Sequence, residues 1–318
     1  MTFVRTVLGD IDPSQLGVTY AHEHLIIDGG RPVQMVPDFD LGDVDAMATE
    51  VSAAARLGLR SVVDAMPCDA GRSAAKLAEL SRRTGVHVIA PTGLHHDRYY
   101  GPTHWSARIT VDELADLFTL DVTDGIDVYD YAGPVVRRTP HRAGVIKIAG
   151  SEGGPSERDR RVFEAAAETH RRTGVPILTH CEGGTGSLEQ VRLLADQGVD
   201  LSRVVVSHVD KVVDRGYHRA ILATGALAEY DQGFRWADRP NGTLELLAWM
   251  AEDGLTDQIV LGMDAARRRY YLVFGGAPVL GWLLGTFVPA MAAAGIDAAT
   301  REALLIGNPA RAFAFARP

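Results

Sequence analysis

Two histidines lie two residues apart near the start of the chain, in Tyr20-Ala-His22-Glu-His24, after an apolar run that begins at Leu16. Side chains alternate between the faces of a strand, so His22 and His24 point the same way and can converge on one ion. The same spacing also occurs on solvated strands that bind no metal. The pair therefore indicates a metal site only if further ligands reach the same place.

Four further polar residues each lie at the C-terminal end of a different predicted strand. They are Lys147, His180, His208 and Asp264. Lys147 interrupts an apolar segment, where a lysine is rarely buried without a partner. His180 and His208 could each be hydrogen-bonded core histidines, and Asp264 could cap a helix. A joint metal site accounts for all of them at once.

These side chains also indicate the number and type of ions. Imidazole and carboxylate ligands suit zinc and tolerate manganese, cobalt or nickel. Four histidines and an aspartate exceed the needs of one tetrahedral ion, which predicts two ions. Two divalent ions about 3.5–4 Å apart need an anionic bridge. An unmodified lysine cannot supply it, whereas Lys147 carboxylated by CO2 can, because the product is a carboxylate.

The elements that would position these residues alternate between strand and helix with short connections. After the first strand, strands are predicted at 60–65, 87–92, 144–148, 175–179, 203–207, 226–230 and 258–262. Helices are predicted at 44–57, 73–83, 111–120, 157–172, 188–197, 214–223 and 243–252. Eight such units without a linker favour an α/β class fold, a closed (β/α)8 TIM barrel forming a single domain over residues 1–318. The active site of such a barrel lies at the C-terminal ends of its strands.

Composition excludes several classes of partner. The hydrophobic fraction of 46% and the charged fraction of 23% are those of a soluble globular protein. A net charge of −9 without long runs disfavours nucleic acid and anionic membranes. Two cysteines and no signal peptide predict a cytoplasmic protein. Residues 270–296 carry no charge, but their glycines and prolines favour a loop leading to a buried helix over a membrane span.

Several segments together carry a family resemblance. They are Gly-Val-Ile-Lys-Ile at 144–148, Leu-Thr-His at 178–180, Val-Ser-His-Val-Asp at 206–210, Leu-Gly-Met-Asp-Ala-Ala-Arg at 261–267 and Gly-Asn-Pro-Ala-Arg-Ala-Phe at 307–313. With the His-x-His pair, they resemble the phosphotriesterase family of the amidohydrolase superfamily, which includes the phosphotriesterase-like lactonases, over residues 6–313.

The resemblance implies a binuclear metal centre bridged by carboxylated Lys147 and a hydroxide. His22, His24 and Asp264 would hold the buried ion, and His180 and His208 the exposed ion. The bridging hydroxide would attack the substrate, and Asp264 would accept its proton and pass it to the leaving alkoxide. Lys147 and Asp264 are therefore the predicted catalytic residues.

The loops must select the substrate, because the fold and the metals do not. Where phosphotriesterases have a tryptophan and homoserine lactonases a tyrosine after strand 3, this chain has His95, which departs from both. Arg267 and Tyr270 follow Asp264 at a spacing similar to that of the phosphosugar lactonases, where an arginine and a tyrosine hold the substrate phosphate. The other predicted substrate-binding residues are Arg98, Tyr99, Lys211 and Arg235.

The arginines have a simpler alternative, which is a solvated helix start or an ion pair with Asp231 or Asp238. We predict a zinc-dependent lactonase that opens a small lactone, such as a phosphorylated or otherwise anionic sugar lactone. The alternatives are a phosphotriesterase or acyl-homoserine lactonase with the same metals, or an inactive barrel that only binds a ligand. We also expect a homodimer, with Trp105 or Trp236 at its interface or in the pocket wall.

Overall fold

The computed structural model describes residues 2–236 and 240–316. A short antiparallel hairpin opens the chain, formed by β1 (Val4–Thr6) and β2 (Gly9–Ile11). The strands that follow are β3 (Thr19–Glu23), β4 (Ser61–Asp64), β5 (His87–Ile89), β6 (Pro91–Thr92), β7 (Val145–Gly150), β8 (Ile177–Cys181), β9 (Val204–Ser207), β10 (Leu227–Tyr230) and β11 (Ile259–Leu261).

The strands from β3 to β11 close into a parallel barrel. The first three pair in the order β3-β4-β5, and the rest in the order β6-β7-β8-β9-β10-β11. β5 and β6 are two parts of one strand, separated only by Ala90. Beyond β11, the Asp264 amide donates to the His22 carbonyl of β3 at 3.0 Å, which joins the two ends. The predicted barrel of eight strands is confirmed.

Helices connect the strands and cover the outside of the barrel. They are α1 (Gly30–Met35), α2 (Val44–Arg56), α3 (Ala74–Thr84), α4 (Val111–Thr123), α5 (Glu157–Thr173), α6 (Ser187–Asp196), α7 (Arg215–Ala223), α8 (Gly242–Glu252), α9 (Val288–Ala293), α10 (Ala298–Glu302) and α11 (Asn308–Ala312). The predicted helices agree with α2 to α8 within a few residues. Thr110 and Ser156 begin α4 and α5 with capping boxes, which satisfy backbone amides of the first turn.

The barrel interior is apolar at one end and polar at the other. Apolar side chains fill the lower end. From the barrel strands these are Val145, Leu178, Val205, Leu227 and Val260, and from the segments that precede and follow the barrel they are Val4, Leu16 and Phe313. Two residues further along the same strands, Lys147, His180, Ser207 and Glu229 replace them. Because alternate residues share a face, the apolar plug and the polar site follow directly from the strand sequences.

β3 departs from this alternation where it carries the histidine pair. Ala21 packs in the apolar interior, yet the neighbouring His22 also contacts interior side chains of β7 and β9. The pairing of β3 with β4 shifts register between Tyr20 and Glu23. A register shift of this kind re-aims a side chain, which explains how adjacent residues both face inward.

The uncharged segment 270–296 does not form a long helix. It contains short turns, a π-helical turn at Leu283–Phe287 in which Phe287 is buried, and α9, in which Met291 is buried. In the described part of the chain, every helix is too short or too polar to cross a bilayer. The structure agrees with the predicted loop followed by a buried helix.

Candidate active site

A cavity of about 270 Å³ opens at the C-terminal ends of the barrel strands. The predicted metal ligands on its wall are His22, His24, His180, His208 and Asp264. The predicted substrate-binding residues on its wall are His95, Arg98, Tyr99, Lys211, Arg235, Arg267 and Tyr270. The structure therefore brings both predicted groups to one cavity.

Three of the predicted ligands meet between β3 and the loop after β11. The Nε2 atoms of His22 and His24 lie 3.7 and 3.2 Å from Oδ1 of Asp264. Their donor atoms all lie within 4.8 Å of one another, as they would around a single ion. This is the trio assigned to the buried ion.

The two histidines assigned to the second ion also face each other. Nδ1 of His180 lies 2.8 Å from Nε2 of His208. His208 adopts a left-handed backbone conformation, with φ +65°, at the end of β9. Its other ring nitrogen, Nδ1, contacts a carboxylate oxygen of Asp231. The nitrogen that faces His180 is therefore the one left to bind an ion.

Lys147 lies below the cavity, beside His22. Its side chain is fully buried, and Nζ lies 3.4 Å from Nε2 of His22. Burial lowers the pKa of Lys147 to about 8. Burial therefore shifts this amine towards its neutral form.

The donor set fits divalent ions. Burial lowers the pKa of His22, His180 and His208, which keeps these imidazoles neutral and able to coordinate a metal. Burial acts to raise the pKa of Asp264, but the His24 hydrogen bond and nearby positive charge hold it well below the usual value. Neutral imidazoles beside an ionised carboxylate are the state that metal binding requires.

The turn that carries Asp264 is held on both sides. Asp264 has φ +48°, an uncommon conformation for a residue other than glycine. The carboxylate of Glu23 accepts the Met263 amide at 2.8 Å and the Ala265 amide at 3.2 Å. Arg235 donates to the carbonyls of Met263 and Asp264 at 3.0 and 2.7 Å. These contacts satisfy the backbone groups around Asp264.

Arg235 is thus largely engaged by the protein itself. It also donates to the Asp231 carbonyl at 2.9 Å and to Oδ2 of Asp264 at 3.2 Å. The predicted alternative was an ion pair with Asp231; instead, Arg235 contacts the carbonyl of Asp231 and forms an ion pair with Asp264. Asp238, the other alternative partner, lies outside the described residues.

Two buried carboxylates beneath the centre were not among the predicted site residues. Oε2 of Glu229 lies 3.2 Å from Nδ1 of His22, and Asp231 contacts Nδ1 of His208. Burial and the neighbouring Asp231 raise the pKa of Glu229 well above its ordinary value. Glu229 therefore contacts a predicted ligand of the buried ion, and Asp231 contacts a predicted ligand of the exposed ion.

A third unpredicted carboxylate, Glu182, lies at the mouth of the site. It approaches His180, His96 and Arg98, with the closest contact 2.8 Å from Nε2 of His180. The hydrogen bond with His180 and the nearby His96 ring hold the pKa of Glu182 well below its usual value. The signal in the sequence was a glutamate two residues after a predicted ligand.

The remaining predicted substrate-binding residues form the rim. Arg267 lies over the Phe39 ring at 4.4 Å, with Nη1 3.8 Å from Asp38. Tyr270 packs edge-on against Phe234, with ring centroids 5.1 Å apart. Lys211 lines both this cavity and a neighbouring one. Arg267 is therefore less constrained than Arg235.

The loop after β6 supplies the other wall. His95 packs against Tyr99 and His180, with ring centroids 4.4 and 4.9 Å apart. Of the two tryptophans considered, Trp105 donates its indole hydrogen to Asp69 at 2.9 Å, away from the cavity. Trp236 lines the neighbouring cavity and donates to Thr243 at 3.1 Å.

The sequence and the fold of this chain are similar to those of several known proteins. The chain is 32% identical over 324 residues to a phospho-furanose lactonase of Mycoplasmopsis synoviae, covering 98% of this chain and 92% of that protein. A lactonase structure from Listeria monocytogenes superposes with a TM-score of 0.90 at 27% identity, covering 99% of this chain and 100% of that one. The phosphotriesterase homology protein of Escherichia coli, complexed with phosphate in its active site, has a TM-score of 0.86 at 32% identity, covering 95% and 100%.

A family model also matches almost the entire chain. The model describes the phosphotriesterase family, and it matches residues 2–313. The match includes the predicted ligands on β3, β7, β8 and β9 and the turn after β11. This protein is a member of the phosphotriesterase family.

Proposed function

We propose that this protein is a metal-dependent lactonase that opens a small lactone bearing an anionic group. The observation that carries the proposal is the single cavity in which the predicted ligands of two ions face a rim of basic side chains. The first part supports hydrolysis, and the second supports an anionic substrate. The phospho-furanose lactonase among the relatives has a name consistent with both.

The hydrolytic part of the proposal follows from the ligand set. When bound, two divalent ions lower the pKa of water and polarise a substrate carbonyl. Asp264, held as a carboxylate, can accept a proton at an oxygen that faces the cavity and return it to the leaving alkoxide. His22 and His24 hold Asp264 in place from one side and Arg235 from the other.

The preference for an anion follows from charge at the rim. Arg98, Lys211 and Arg267 all line the cavity of a chain whose net charge is −9. Arginine suits a phosphate or carboxylate because its planar fork makes two parallel hydrogen bonds. Phosphate in the active site of the Escherichia coli relative supports the same substrate class. We assign the anionic group to Arg267 and Tyr270, with Lys211 nearby.

The finer details of the centre belong to the same proposal. We assign zinc to both positions, because histidine and carboxylate ligands suit it. Lys147 in its carboxylated form would hold both ions, and its buried amine, with a pKa lowered to about 8, favours that modification because the neutral amine is the form that reacts with CO2. The protein acts in the cytoplasm as a homodimer, without nucleic acid or membrane partners. Light scattering of the purified protein tests the dimer.

The decisive experiment compares one lactone with and without its anionic group. The zinc-loaded protein is assayed with a pH indicator on a pentono-1,4-lactone and on its 5-phosphate. We expect a strong preference for the phosphorylated lactone that Arg267→Met removes. Arg192→Met is the matched control, since Arg192 is exposed on α6 and remote from the cavity.

Three results would contradict parts of the proposal. Equal turnover of both lactones would remove Arg267 and Tyr270 from substrate binding. Turnover of acyl-homoserine lactones or phosphotriesters instead would keep the metal centre and replace the substrate. Metal binding without turnover of any of these substrates would favour the ligand-binding barrel.

A further inference from the structure

We propose that Glu182 is a positioning residue that fixes the ring orientation and tautomer of His180. The inference rests on the metal centre proposed above, but it concerns a residue that no part of that proposal uses. Glu182 lies immediately after β8, two residues beyond His180, and its side chain is 31% exposed. Its carboxylate returns towards the strand that it follows.

Glu182 and His180 form a hydrogen bond. Oε2 of Glu182 lies 2.8 Å from Nε2 of His180. A carboxylate can only accept, so the proton of the neutral imidazole must lie on Nε2. The lone pair is then on Nδ1, and Nδ1 is the atom 2.8 Å from Nε2 of His208. Glu182 thereby presents the nitrogen that the second ion needs.

The carboxylate of Glu182 also contacts the neighbouring loop. Arg98 donates to both oxygens of Glu182, at 3.1 and 3.4 Å, and Nε2 of His96 lies 3.0 Å from Oε2. Both partners belong to the loop after β6. Glu182 therefore joins two neighbouring loops across the mouth of the cavity. His180 packs against that same loop, with its ring centroid 4.9 Å from that of His96.

The backbone that follows Glu182 has little room to move. Gly183 and Gly184 follow it with φ of +63° and +78°. A Cβ atom on Gly184 would lie 2.8 Å from the carbonyl oxygen of His208, so the main chain passes close to the end of β9. The turn is confined between two ligand-bearing strands. This limits the positions available to the carboxylate and supports a fixed contact with His180.

A different use of the same atoms must be distinguished. His96, His180 and Glu182 place three possible ligand atoms within 4.8 Å of one another. The guanidinium of Arg98, 3.1 Å from Glu182, opposes a cation at that point. Outer partners of ligating histidines commonly have this geometry, and their loss weakens metal binding about 10–100-fold. The positioning role is therefore the better explanation.

The test measures metal binding and imidazole tautomers rather than lactone turnover. Glu182→Ala is compared with Glu182→Gln, which keeps an oxygen acceptor, and with Glu189→Gln, an exposed control on α6. Zinc content is measured after equilibration with a graded chelator. We expect Glu182→Ala to bind one of its two zinc ions about 10–100-fold more weakly in this competition, and Glu182→Gln to bind both with nearly the affinity of the unaltered protein.

Nitrogen NMR of the metal-free protein supplies the independent reading. The His180 signal should show a proton on Nε2 in the unaltered protein and in Glu182→Gln, and a tautomer mixture in Glu182→Ala. Unchanged zinc affinity and an unchanged tautomer in folded Glu182→Ala would overturn the proposal. So would a third ion in the unaltered protein that Glu182→Ala loses.

Arg98→Met separates the Arg98 contact of Glu182 from its His180 contact. It removes the charged part of the link to the neighbouring loop and leaves the His96 and His180 contacts in place. We expect both zinc ions to remain bound with unaltered affinity. If Arg98→Met lost an ion as readily as Glu182→Ala, loop attachment rather than the His180 tautomer would be the cause, and the proposal would be wrong. None of these readings depends on the identity of the substrate.

Discussion

Replacing Arg235 with methionine should lower kcat more than it raises KM. Arg235 was predicted from the sequence to bind substrate, but its donors point to the main chain around Asp264. Methionine has a comparable length and fills similar space without donating hydrogen bonds. The change therefore isolates the contacts that hold Asp264 from the packing of the side chain.

The size of the effect follows from the bonds that are lost. Arg235 donates at 2.7 Å to the Asp264 carbonyl, 2.9 Å to the Asp231 carbonyl, 3.0 Å to the Met263 carbonyl and 3.2 Å to Oδ2 of Asp264. A hydrogen bond from a charged donor contributes about 1.5–3 kcal/mol. The side chain is 25% exposed, so water can replace some of these bonds. Counting only two bonds at the lower value gives a loss of about 3 kcal/mol.

This loss divides between folding and catalysis. If half of it falls on the placement of Asp264, kcat decreases roughly tenfold, since each ~1.4 kcal/mol in the barrier is a factor of ten. The other half should lower the free energy of unfolding. Arg235→Lys keeps the charge but not the planar fork, so its kcat should lie between those of the other two proteins.

The assay measures kcat, KM and zinc content on the same preparations, with thermal unfolding in parallel. Arg192→Met on α6 serves as the control, because its side chain is 85% exposed and pairs with Asp196 at 3.9 Å, on the surface. A large increase in KM with unchanged kcat and unfolding temperature would refute the reasoning. Arg235 would then be a substrate-binding residue, as the sequence first indicated.

Three further predictions concern the metal centre itself. Asp264→Asn should retain part of its zinc and lose most of its turnover, and unchanged kcat would refute the proton-transfer role. Lys147→Ala should lose zinc and activity. Added acetate should restore some of both by supplying a carboxylate in place of the carboxylated lysine. No restoration at any acetate concentration would argue against a carboxylated lysine. Removing zinc with a chelator should lower the unfolding temperature, because an ion at 100 times its Kd contributes about 2.7 kcal/mol; an unfolding temperature independent of zinc would contradict binding to the folded protein.

The barrel was predictable because its signal repeats along the chain. Each strand and helix had its own apolar pattern, and the repeat made individual errors unimportant. The hairpin of β1 and β2 and the short helices α10 and α11 were not predicted. They are too short to carry a periodic signal. The register shift in β3 was also beyond sequence reasoning, since it depends on pairing with β4.

The ligand residues were predictable because histidine and lysine are unusual at the ends of apolar strands. The same signal was present for Glu229, because it interrupts the apolar strand β10 just as Lys147 interrupts β7. Glu182 and Glu23 lie beside predicted ligands, but acidic residues near strand ends are common. Their roles depend on which atoms they reach, and a sequence pattern does not contain that information. The same is true of Arg235.

The complete burial of Lys147 has a consequence for how the centre is built. Its side chain has no exposed surface, and the amine lies beside the ligand His22. An apolar plug closes the barrel below it, so small molecules must approach from the mouth. If Lys147 is carboxylated, CO2 has to pass the ligand histidines before two ions occupy them. Maturation would then be an ordered process, with dissolved CO2 acting before the metal, and protein produced with abundant zinc but scarce CO2 would contain trapped, half-assembled centres.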